Sequence, residues 1–505
     1  MLSLKQLLSH GLSKIGTFGS RIALTNFLLM SPVLMGSFSE LARAGDSLSL
    51  PVHYALAILI FAIIWATLEF SVSIGTVIML VYLADMGWIR RALIPSTGYI
   101  SNDPITLIST FVSLLYFLRL VVLRKIPINT AISKTLLPLV IIMFLEVVNP
   151  LQGGIAVGLS GLIFRLGPLL WYYVGKMRGS RQMASLLFFV MVLVSVFEII
   201  IGNRQWFGGF SEVEKFWIAS GGGTQSAGKG YFRPFGTFLS FSEYVVVIVI
   251  GAGLCWVSFL QKKYIYIVPF IALFVTLFVS SSRGGMVSIF LVMVVMWAIQ
   301  GKNYRAWLPR LAFAVVVALW GITFGLERVK EVEVDDKTQI LVNHQIKGLS
   351  DPLGKDSTGG LHVGLITSGI LQGFRVPTGI GLGAGTLGAS KFGAGGGSSE
   401  TDVSDMFASL GFIGGILYVV LCIRIFIGIS KYWHDSRDVL ALSTLALMTA
   451  CNGRWSSGGH YAQSMFFWLI IGTMDKIIFE YYFMNKKSNP DNERRSEILK
   501  AGASS

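Results

Sequence analysis

Long apolar runs separated by short polar connections form the main pattern of this chain. Each run is continuous and approaches the roughly 20 residues that a helix needs to cross a membrane, whereas a membrane β-strand is shorter and alternates. The runs lie at about 22–35, 53–69, 71–88, 104–123, 135–148, 154–175, 183–202, 236–260, 263–280, 286–300, 308–326, 404–430, 438–453 and 461–483. The pattern predicts an all-α polytopic membrane helix bundle of about 12 to 14 transmembrane helices.

The runs and their connections divide the chain into four parts. Residues 1–326 hold the N-terminal transmembrane helices, and 327–403 form one large external loop. Residues 404–485 hold the C-terminal transmembrane helices, and 486–505 form a basic tail without candidate chemistry. We find no internal repeat, although a secondary transporter is expected to contain one.

The first apolar run has two interpretations. It follows Lys5 and Lys14, and Ala42-Arg43-Ala44 after it resembles the cleavage site of a secretory signal peptide. We interpret it instead as a first transmembrane or signal-anchor helix, because a polytopic chain needs no cleaved signal.

Composition supports a membrane protein and argues against other classes. Of the 505 residues, 53% are hydrophobic and 13% are charged, against about 25% charged in soluble domains. The net charge of +14 comes mostly from short loops, without a basic stripe interleaved with aromatic residues, so we do not expect nucleic-acid binding. Cys255, Cys422 and Cys451 lack paired spacing, which predicts neither a disulfide framework nor a metal site.

Loop charges set the expected orientation, because cytoplasmic loops of membrane proteins are rich in lysine and arginine. The loops that we assign to the cytoplasm contain Arg124, Lys125, Lys134, Lys176, Arg178, Arg181, Lys262, Lys263, Lys302, Arg305, Arg310, Lys431, Arg437, Lys486, Lys487, Arg494 and Arg495. Both termini are then cytoplasmic. Arg90 and Arg91 break the rule, since this numbering places them outside, and a miscounted early span would explain the exception.

The other connections then face the external side of the membrane. They are about 203–235, 281–283, 327–403 and 451–460. This topology brings to one side Arg204, Arg233, Arg283, Arg454 and His460.

Two arginines on that side are candidates for binding an anion. Arg283 lies between two apolar runs in a Ser-Ser-Ser-Arg-Gly-Gly segment, and Arg233 precedes another run in Tyr-Phe-Arg-Pro-Phe-Gly. An arginine at a helix end can simply extend toward lipid headgroups. Small neighbours leave room for a ligand, however, and a guanidinium binds phosphate in a bidentate manner. We predict that Arg233 and Arg283 together hold a lipid pyrophosphate, provided that they share one site.

Acidic residues after the large loop are candidates for a general base. Glu400, Asp402 and Asp405 either cap the helix that follows or activate a sugar hydroxyl. Alternative bases are His344, His362 and His460. Carboxylates within or near the spans are Glu69, Asp85, Glu146, Glu198 and Glu243. Glu243 would pair with Arg233 if the chain bends back.

Two glycine-rich segments resemble phosphate-binding loops. Residues 223–230 resemble a Walker A motif but have Gly230 where a serine or threonine would bind Mg²⁺. Residues 383–388 match G-x-G-x-x-G, but no strand precedes them. We interpret the glycines of both segments as flexible loop residues.

The order of these motifs resembles the superfamily of O-antigen ligases and Wzy-type polysaccharide polymerases. The matching pieces are Arg-x-x-Gly-Thr-Phe at 233–238, Ser-Arg-Gly-Gly at 282–285, Gly-Ile-Gly-Leu-Gly-Ala-Gly at 379–385, and Ser-Leu-Gly-Phe-Ile-Gly-Gly at 409–415. The third lies in a large external loop, and an acidic segment precedes the fourth. The likeness covers roughly residues 233–420.

This resemblance implies a metal-independent glycosyltransferase without a cofactor, embedded in the inner membrane of a bacterium. Its donor would be an oligosaccharide on undecaprenyl pyrophosphate, presented at the periplasmic face with Arg233 and Arg283 on the pyrophosphate. A flippase and a chain-length regulator would be its protein partners. In ligases a histidine shortly before the Gly-x-x-Gly span serves as the base. This chain has Glu400, Asp402 and Asp405 there, with His362 well upstream.

The difference favours a polymerase of exopolysaccharide, capsule or O-antigen repeats over a ligase. A flippase or secondary transporter would share the helix number and the buried charges, but no repeat is evident. A purely structural scaffold would have little reason to gather arginines on one face.

Overall fold

The computed structural model describes residues 49–220, 226–228, 231–280, 282–301, 306–313, 316, 359–386, 389, 401–456 and 460–487. The first apolar run, the first half of the large loop and residues 488–505 of the basic tail lie outside these ranges. The candidate bases Glu400 and His344 also lie outside them.

The described chain is built almost entirely of helices. In chain order they are α1 (Ser49–Phe70), α2 (Val72–Thr97), α3 (Ile108–Val122), α4 (Ala131–Glu146), α5 (Ile155–Gly161), α6 (Gly167–Arg178), α7 (Arg181–Phe207), α8 (Glu212–Ala219), α9 (Phe241–Leu260), α10 (Ile267–Val279), α11 (Arg283–Ile299), α12 (Gly359–Arg375), α13 (Asp402–Ser436), α14 (Val439–Ala450) and α15 (Tyr461–Lys487). Short 3₁₀ turns occupy Pro104–Leu107, Pro150–Gln152 and Tyr264–Tyr266. Strands β1 (Ser226–Gly228) and β2 (Tyr231–Phe232) form an antiparallel hairpin between α8 and α9.

The helices confirm the predicted polytopic membrane bundle. Within the described ranges, eight helices are long and apolar enough to cross a membrane, and α11, α14 and the helix at Tyr264–Val279 are shorter apolar helices. The predicted runs between 53 and 300 and those after 404 each contain a described helix. The run at 308–326 is described only in part.

The connections separate into two ends of the bundle. We call one the arginine end; it contains the described residues of 98–103, 147–154, 208–220, 226–228, 231–240, 280, 282, 451–456 and 460. Contacts join these connections: the Arg91 guanidinium reaches the carbonyl of Gly236, and the His460 ring contacts Ser242. The opposite end contains 123–130, 179–180, 261–263 and 437–438, where Arg181 pairs with Asp438.

The tightest helix contact in the core joins α6 to α15, where glycines allow the two backbones to touch. A Cβ on Gly175 would lie 2.1 Å from the carbonyl oxygen of Leu469, and one on Gly472 would lie 2.0 Å from that of Tyr172. Trp171 and Trp468 are fully buried in the same core. Small residues at a contact between membrane helices permit this close approach, which gains dispersion energy.

Two irregular segments shape the arginine end. A π-helical turn, Leu162–Leu166, joins α5 to α6, and α13 is interrupted at Gly411, where φ is 69°. The interruption accommodates residues 377–383, because a Cβ on Gly411 would lie 2.0 Å from the carbonyl oxygen of Pro377. Such breaks in otherwise regular membrane helices require neighbours that satisfy the freed backbone groups.

The glycine-rich segment after α12 is packed at residues 379–383. The prediction of flexible glycines at 383–388 is therefore wrong at Gly383, whose amide donates to Gln152 Oε1 at 3.2 Å. The amides of Ile380 and Gly381 donate to the carbonyls of Ala408 and Ser409 at 3.0 and 3.1 Å. The Leu382 amide donates to the carbonyl of Glu146 at 3.2 Å. Gly379 and Gly381 have φ of 87° and 100°, which only glycine adopts readily. These glycines permit close backbone packing against α4 and α13.

Candidate functional site

Arg233 and Arg283 belong to one site at the arginine end. Arg233 follows β2, and its guanidinium carbon lies 5.0 Å from the ring centroid of Phe241, the first residue of α9. Arg283 is the first residue of α11, which Ser282 caps by accepting from the Gly285 amide at 3.1 Å. Burial is the main cause that lowers the pKa of Arg233 below its ordinary value, and the positive charge of Arg283 lowers it further. The two side chains are therefore near enough to repel each other.

The local electrostatics favour an anion beside these guanidinium groups. The N-terminus of a helix carries a partial positive charge, so a cation at its first position is unfavourable. Arg283 has that position in α11, and Arg233 lies against the first residue of α9. No carboxylate of a described residue lies within ion-pair distance of Arg283. An anion that contacts both side chains would relieve the repulsion and gain charge-assisted hydrogen bonds.

The loop that carries Arg233 is held rigidly by buried polar groups. Gln205 accepts hydrogen bonds from the amides of Phe235 and Gly236 at 2.9 and 2.8 Å. Arg91 donates to the carbonyls of Gly236 and Phe238, both at 2.8 Å. Together they fix residues 235–238, so Arg233 needs little reordering to receive a ligand.

Glu198 on α7 also fixes the loop at 235–238. Its carboxylate accepts from the amide of Thr237 at 3.0 Å and also from the Thr237 hydroxyl. Gly236 has φ of 59°, and a Cβ there would lie 1.7 Å from Glu198 Oε2. The Arg-Pro-Phe-Gly-Thr-Phe motif therefore needs glycine at 236, where a side chain would collide with Glu198, and threonine at 237, which donates to the Glu198 carboxylate.

Arg90 and Arg91 lie near the end of α2 at the arginine end, the side on which the predicted alternation of spans places them. Arg90 pairs with Asp103 at 2.7 Å, and Arg91 donates hydrogen bonds to carbonyls of the loop at 235–238. Both guanidinium groups are buried, at 8% and 3% exposure. The positive-inside bias concerns basic residues in exposed loops, and these two arginines have structural partners instead.

His460 lies in the last connection of the arginine end and contacts α9. Its Nε2 is 3.0 Å from Ser242 Oγ, and its Nδ1 is 2.9 Å from Gln463 Oε1. Burial, with the positive charge of Arg454, lowers the pKa of His460 to about 4. The imidazole is therefore neutral at physiological pH.

Asp402 anchors the connection that contains His460. Its buried carboxylate accepts from the amides of Trp455 and Ser456 at 2.5 and 2.6 Å and from the Tyr418 hydroxyl at 2.8 Å. Thr401 caps α13 through a reciprocal pair of hydrogen bonds with Ser404. Asp402 is 2% exposed and its carboxylate accepts three hydrogen bonds, so its role is to hold the connection at 451–456 against α13.

Glu243 does not pair with Arg233, so that hypothesis is wrong. Its carboxylate is fully buried and accepts from the amide of Ala462 at 2.9 Å. Glu243 faces the interior because α9 turns this position toward the start of α15. The interaction fixes α15 beside His460.

Arg165 is a site residue that the sequence analysis missed. It lies in the π-helical turn, is 3% exposed, and its Nη2 is 3.2 Å from Asp405 Oδ1. It also donates to the Ser409 hydroxyl. Its signal in the sequence is a guanidinium inside the apolar run at 154–175, and such buried charges usually mark functional or structural polar clusters.

Of the remaining candidate residues that the structure describes, only Arg454 acts on the site. His362 is exposed on α12, about 18 Å along the helix from Phe374, which packs on α13. Arg204 pairs with Glu214, whereas the charge of Arg454 acts on His460. The structure thus brings Arg233, Arg283, Arg454 and His460 to one site.

Comparison with protein-family models gave no match, and comparison with curated proteins gave none either. The chemistry of the site therefore has to be argued from its own residues. Arg233 on a rigid loop and Arg283 at the start of α11 lie close to each other and on the same side as a neutral buried imidazole, an arrangement that suits an anionic ligand.

Proposed function

We propose that the arginine end binds the pyrophosphate of a lipid-linked oligosaccharide and transfers the saccharide to an acceptor hydroxyl. The observation that carries this proposal is the position of the two arginines: Arg283 is the first residue of α11, and the Arg233 guanidinium packs on Phe241, the first residue of α9, close enough for the charge of Arg283 to lower the pKa of Arg233. A pyrophosphate has enough oxygen acceptors for both guanidinium groups, and its charge develops further as the glycosidic bond breaks.

The surroundings of the pair suit a lipid-linked donor in particular. The helix α11, which carries Arg283, and its neighbour α10 are apolar, and their exposed side chains include Val287 and Ile271. Such side chains face lipid, so the isoprenoid chain of the donor can stay in the bilayer while its head reaches the arginines. A soluble phosphate ester gains nothing from this location.

The reaction that we propose is polymerisation of undecaprenyl-pyrophosphate-linked repeat units of an exopolysaccharide, capsule or O-antigen. The ordered motifs of residues 233–420 support it through their resemblance to the ligase and polymerase superfamily. The basic opposite end supports an arginine end that faces the periplasm of a bacterial inner membrane, with both termini in the cytoplasm.

The test is the profile of lipid-linked saccharides in cells that lack this gene. Accumulated single repeat units on the external leaflet support a polymerase. Accumulated long lipid-linked polymer contradicts polymerisation and favours a ligase that transfers finished glycan. Single units retained on the cytoplasmic leaflet contradict transfer chemistry and favour a flippase.

A further inference from the structure

A hydrogen-bonded chain of side chains runs from α9 into the last connection of the arginine end. Ser240 Oγ lies 3.3 Å from Ser242 Oγ, which lies 3.0 Å from His460 Nε2. His460 Nδ1 continues the chain to Gln463, 2.9 Å away. The chain joins residues 218 positions apart in the sequence.

Gln463 determines which nitrogen of His460 carries the proton. Its Nε2 donates to the carbonyl of Arg454, so its Oε1 is left as an acceptor. An acceptor opposite Nδ1 requires a proton on Nδ1. The lone pair of the neutral ring is then on Nε2 and points at the Ser242 hydroxyl, which donates to it.

This arrangement has the three parts of an activated hydroxyl: a hydroxyl, a base within hydrogen-bond distance and a group that orients the base. Ser242 is half-buried, whereas His460 is 5% exposed. An incoming ligand can therefore reach the hydroxyl but not the ring.

The chain lies beside the arginine pair. Ser242 directly follows Phe241, the residue on which the Arg233 guanidinium packs. Glu243, next in α9, holds the start of α15 through the Ala462 amide. The first turn of α9 therefore carries both the ring on which Arg233 packs and the Ser242 hydroxyl.

We propose that Ser242 and His460 accept the proton of the acceptor sugar in the transfer reaction, an inference that rests on the proposed function. The acceptor hydroxyl gives its proton to Ser242 Oγ while the Ser242 proton moves to His460 Nε2. The acceptor oxygen forms a bond to the anomeric carbon, and the bond from that carbon to the pyrophosphate oxygen breaks. The pyrophosphate leaves with the electron pair on its lipid, and the imidazolium later returns its proton to water.

The charges around the ring make this base responsive to the donor. The titratable groups beside His460 are Arg454, on its own connection, whose charge acts on the ring, and the buried carboxyl group of Glu243 on α9, which accepts from the Ala462 amide. A bound pyrophosphate offsets the arginine charges, so the pKa of His460 rises from about 4 when the donor is present. His460 is therefore a stronger base in the complex with the donor, which is the state in which the transfer takes place.

The experiment uses the full-length protein in lipid nanodiscs and measures donor binding and turnover separately. We expect His460→Gln and Ser242→Ala to bind the lipid-linked donor within about twofold of wild type and to lose turnover by about 10²- to 10⁴-fold. Ser242→Thr keeps a hydroxyl and should recover part of the activity. His434→Gln, at the opposite end, is the matched histidine control.

A second measurement separates proton transfer from a structural role. The acid limb of kcat/KM reports the free protein and should lie near pH 4, whereas the limb of kcat reports the complex and should lie higher. Full turnover of His460→Gln and Ser242→Ala would overturn the inference, as would a parallel loss of donor binding. Wild-type protein that fails to bind the donor would instead overturn the proposed function.

Discussion

The two ends of the bundle use their cations differently. At the opposite end, Lys176 is 2.8 Å from Asp475, which also accepts from Thr130 and Tyr172, and Arg181 is 2.5 Å from Asp438. At the arginine end, Arg233 and Arg283 lie beside each other and beside helix N-termini. The opposite end thus brings cations next to carboxylates, whereas the arginine end brings two cations next to each other.

The contrast also separates two kinds of arginine within the arginine end. Arg90 and Arg165 have carboxylate partners, and Arg91 is occupied by backbone carbonyls. Arg91 stabilises the loop that presents Arg233, whereas Arg90 holds the connection at 98–103 and Arg165 holds the first turns of α13. Substitutions at the paired cations should therefore change stability, and substitutions at the coupled pair should change ligand binding.

Removal of the arginine pair should have the largest effect. The double variant Arg233→Ala/Arg283→Ala loses charge-assisted hydrogen bonds worth about 3 to 6 kcal/mol in total, so we expect polymer formation to fall by about 10² to 10⁴ or more. The measurement is polymer yield from cells with equal amounts of inserted protein. Lys215→Ala is the control, because Lys215 is an exposed cation at the same end, paired with Glu212.

Each single variant sharpens the comparison further. Arg233→Ala and Arg283→Ala should each lower the yield, with smaller losses for Arg→Lys because a lysine keeps the charge but not the bidentate geometry. Near-normal polymer from both alanine variants would remove the basis for a shared pyrophosphate site.

At the opposite end, Asp475→Asn should destabilise the fold without weakening the donor site. It leaves Lys176 buried beside a neutral partner, and breaking a buried pair costs about 3 kcal/mol. We expect a lower unfolding temperature in detergent and normal donor affinity in the folded fraction. The double variant Lys176→Met/Asp475→Leu should recover stability, and a loss of donor affinity in either variant would contradict the division between the ends.

A glycine comparison tests whether the rigid loop matters. Gly236→Ala forces a positive φ on alanine and a clash with Glu198, so donor affinity should fall at least about tenfold with about 1 to 3 kcal/mol of strain. Gly209→Ala also needs a positive φ, of 82°, but its Cβ meets open space. Equal donor affinities of the two variants in a nanodisc binding assay would argue against a preorganised loop.

The smallest effect is expected for Arg119→Ala at the exposed ion pair with Glu69. Their side chains are 49% and 37% exposed, and such surface pairs contribute less than about 1 kcal/mol. Thermal unfolding and polymer yield should both stay near wild type. A large loss of activity would show that the opposite end takes part in the reaction.

The spans and the arginine pair were predictable because hydropathy and small neighbours leave local signals. Loop charge predicted one shared side for Arg233 and Arg283, and the structure places the two side chains in one site. The helix ends were harder: the run predicted at 71–88 continues to Thr97, since Arg90 and Arg91 are buried and bonded.

Other parts of the site have no local signal. The contact of His460 with Ser242 and that of Arg165 with Asp405 join distant segments, so only tertiary packing creates them. The segment at 379–383 has a composition typical of flexible loops, yet its amides donate backbone hydrogen bonds to the carbonyls of Ala408 and Ser409, which hold it in place. Glycine permits both flexibility and close packing, and sequence alone does not separate the two.

The most direct test is equilibrium binding of undecaprenyl pyrophosphate to the full-length protein in nanodiscs of neutral lipid. We expect wild-type protein and Lys215→Ala to bind with equal affinity that falls as salt is added. Arg233→Ala and Arg283→Ala should each bind at least about tenfold more weakly. Unchanged affinity in both arginine variants would contradict the pyrophosphate site.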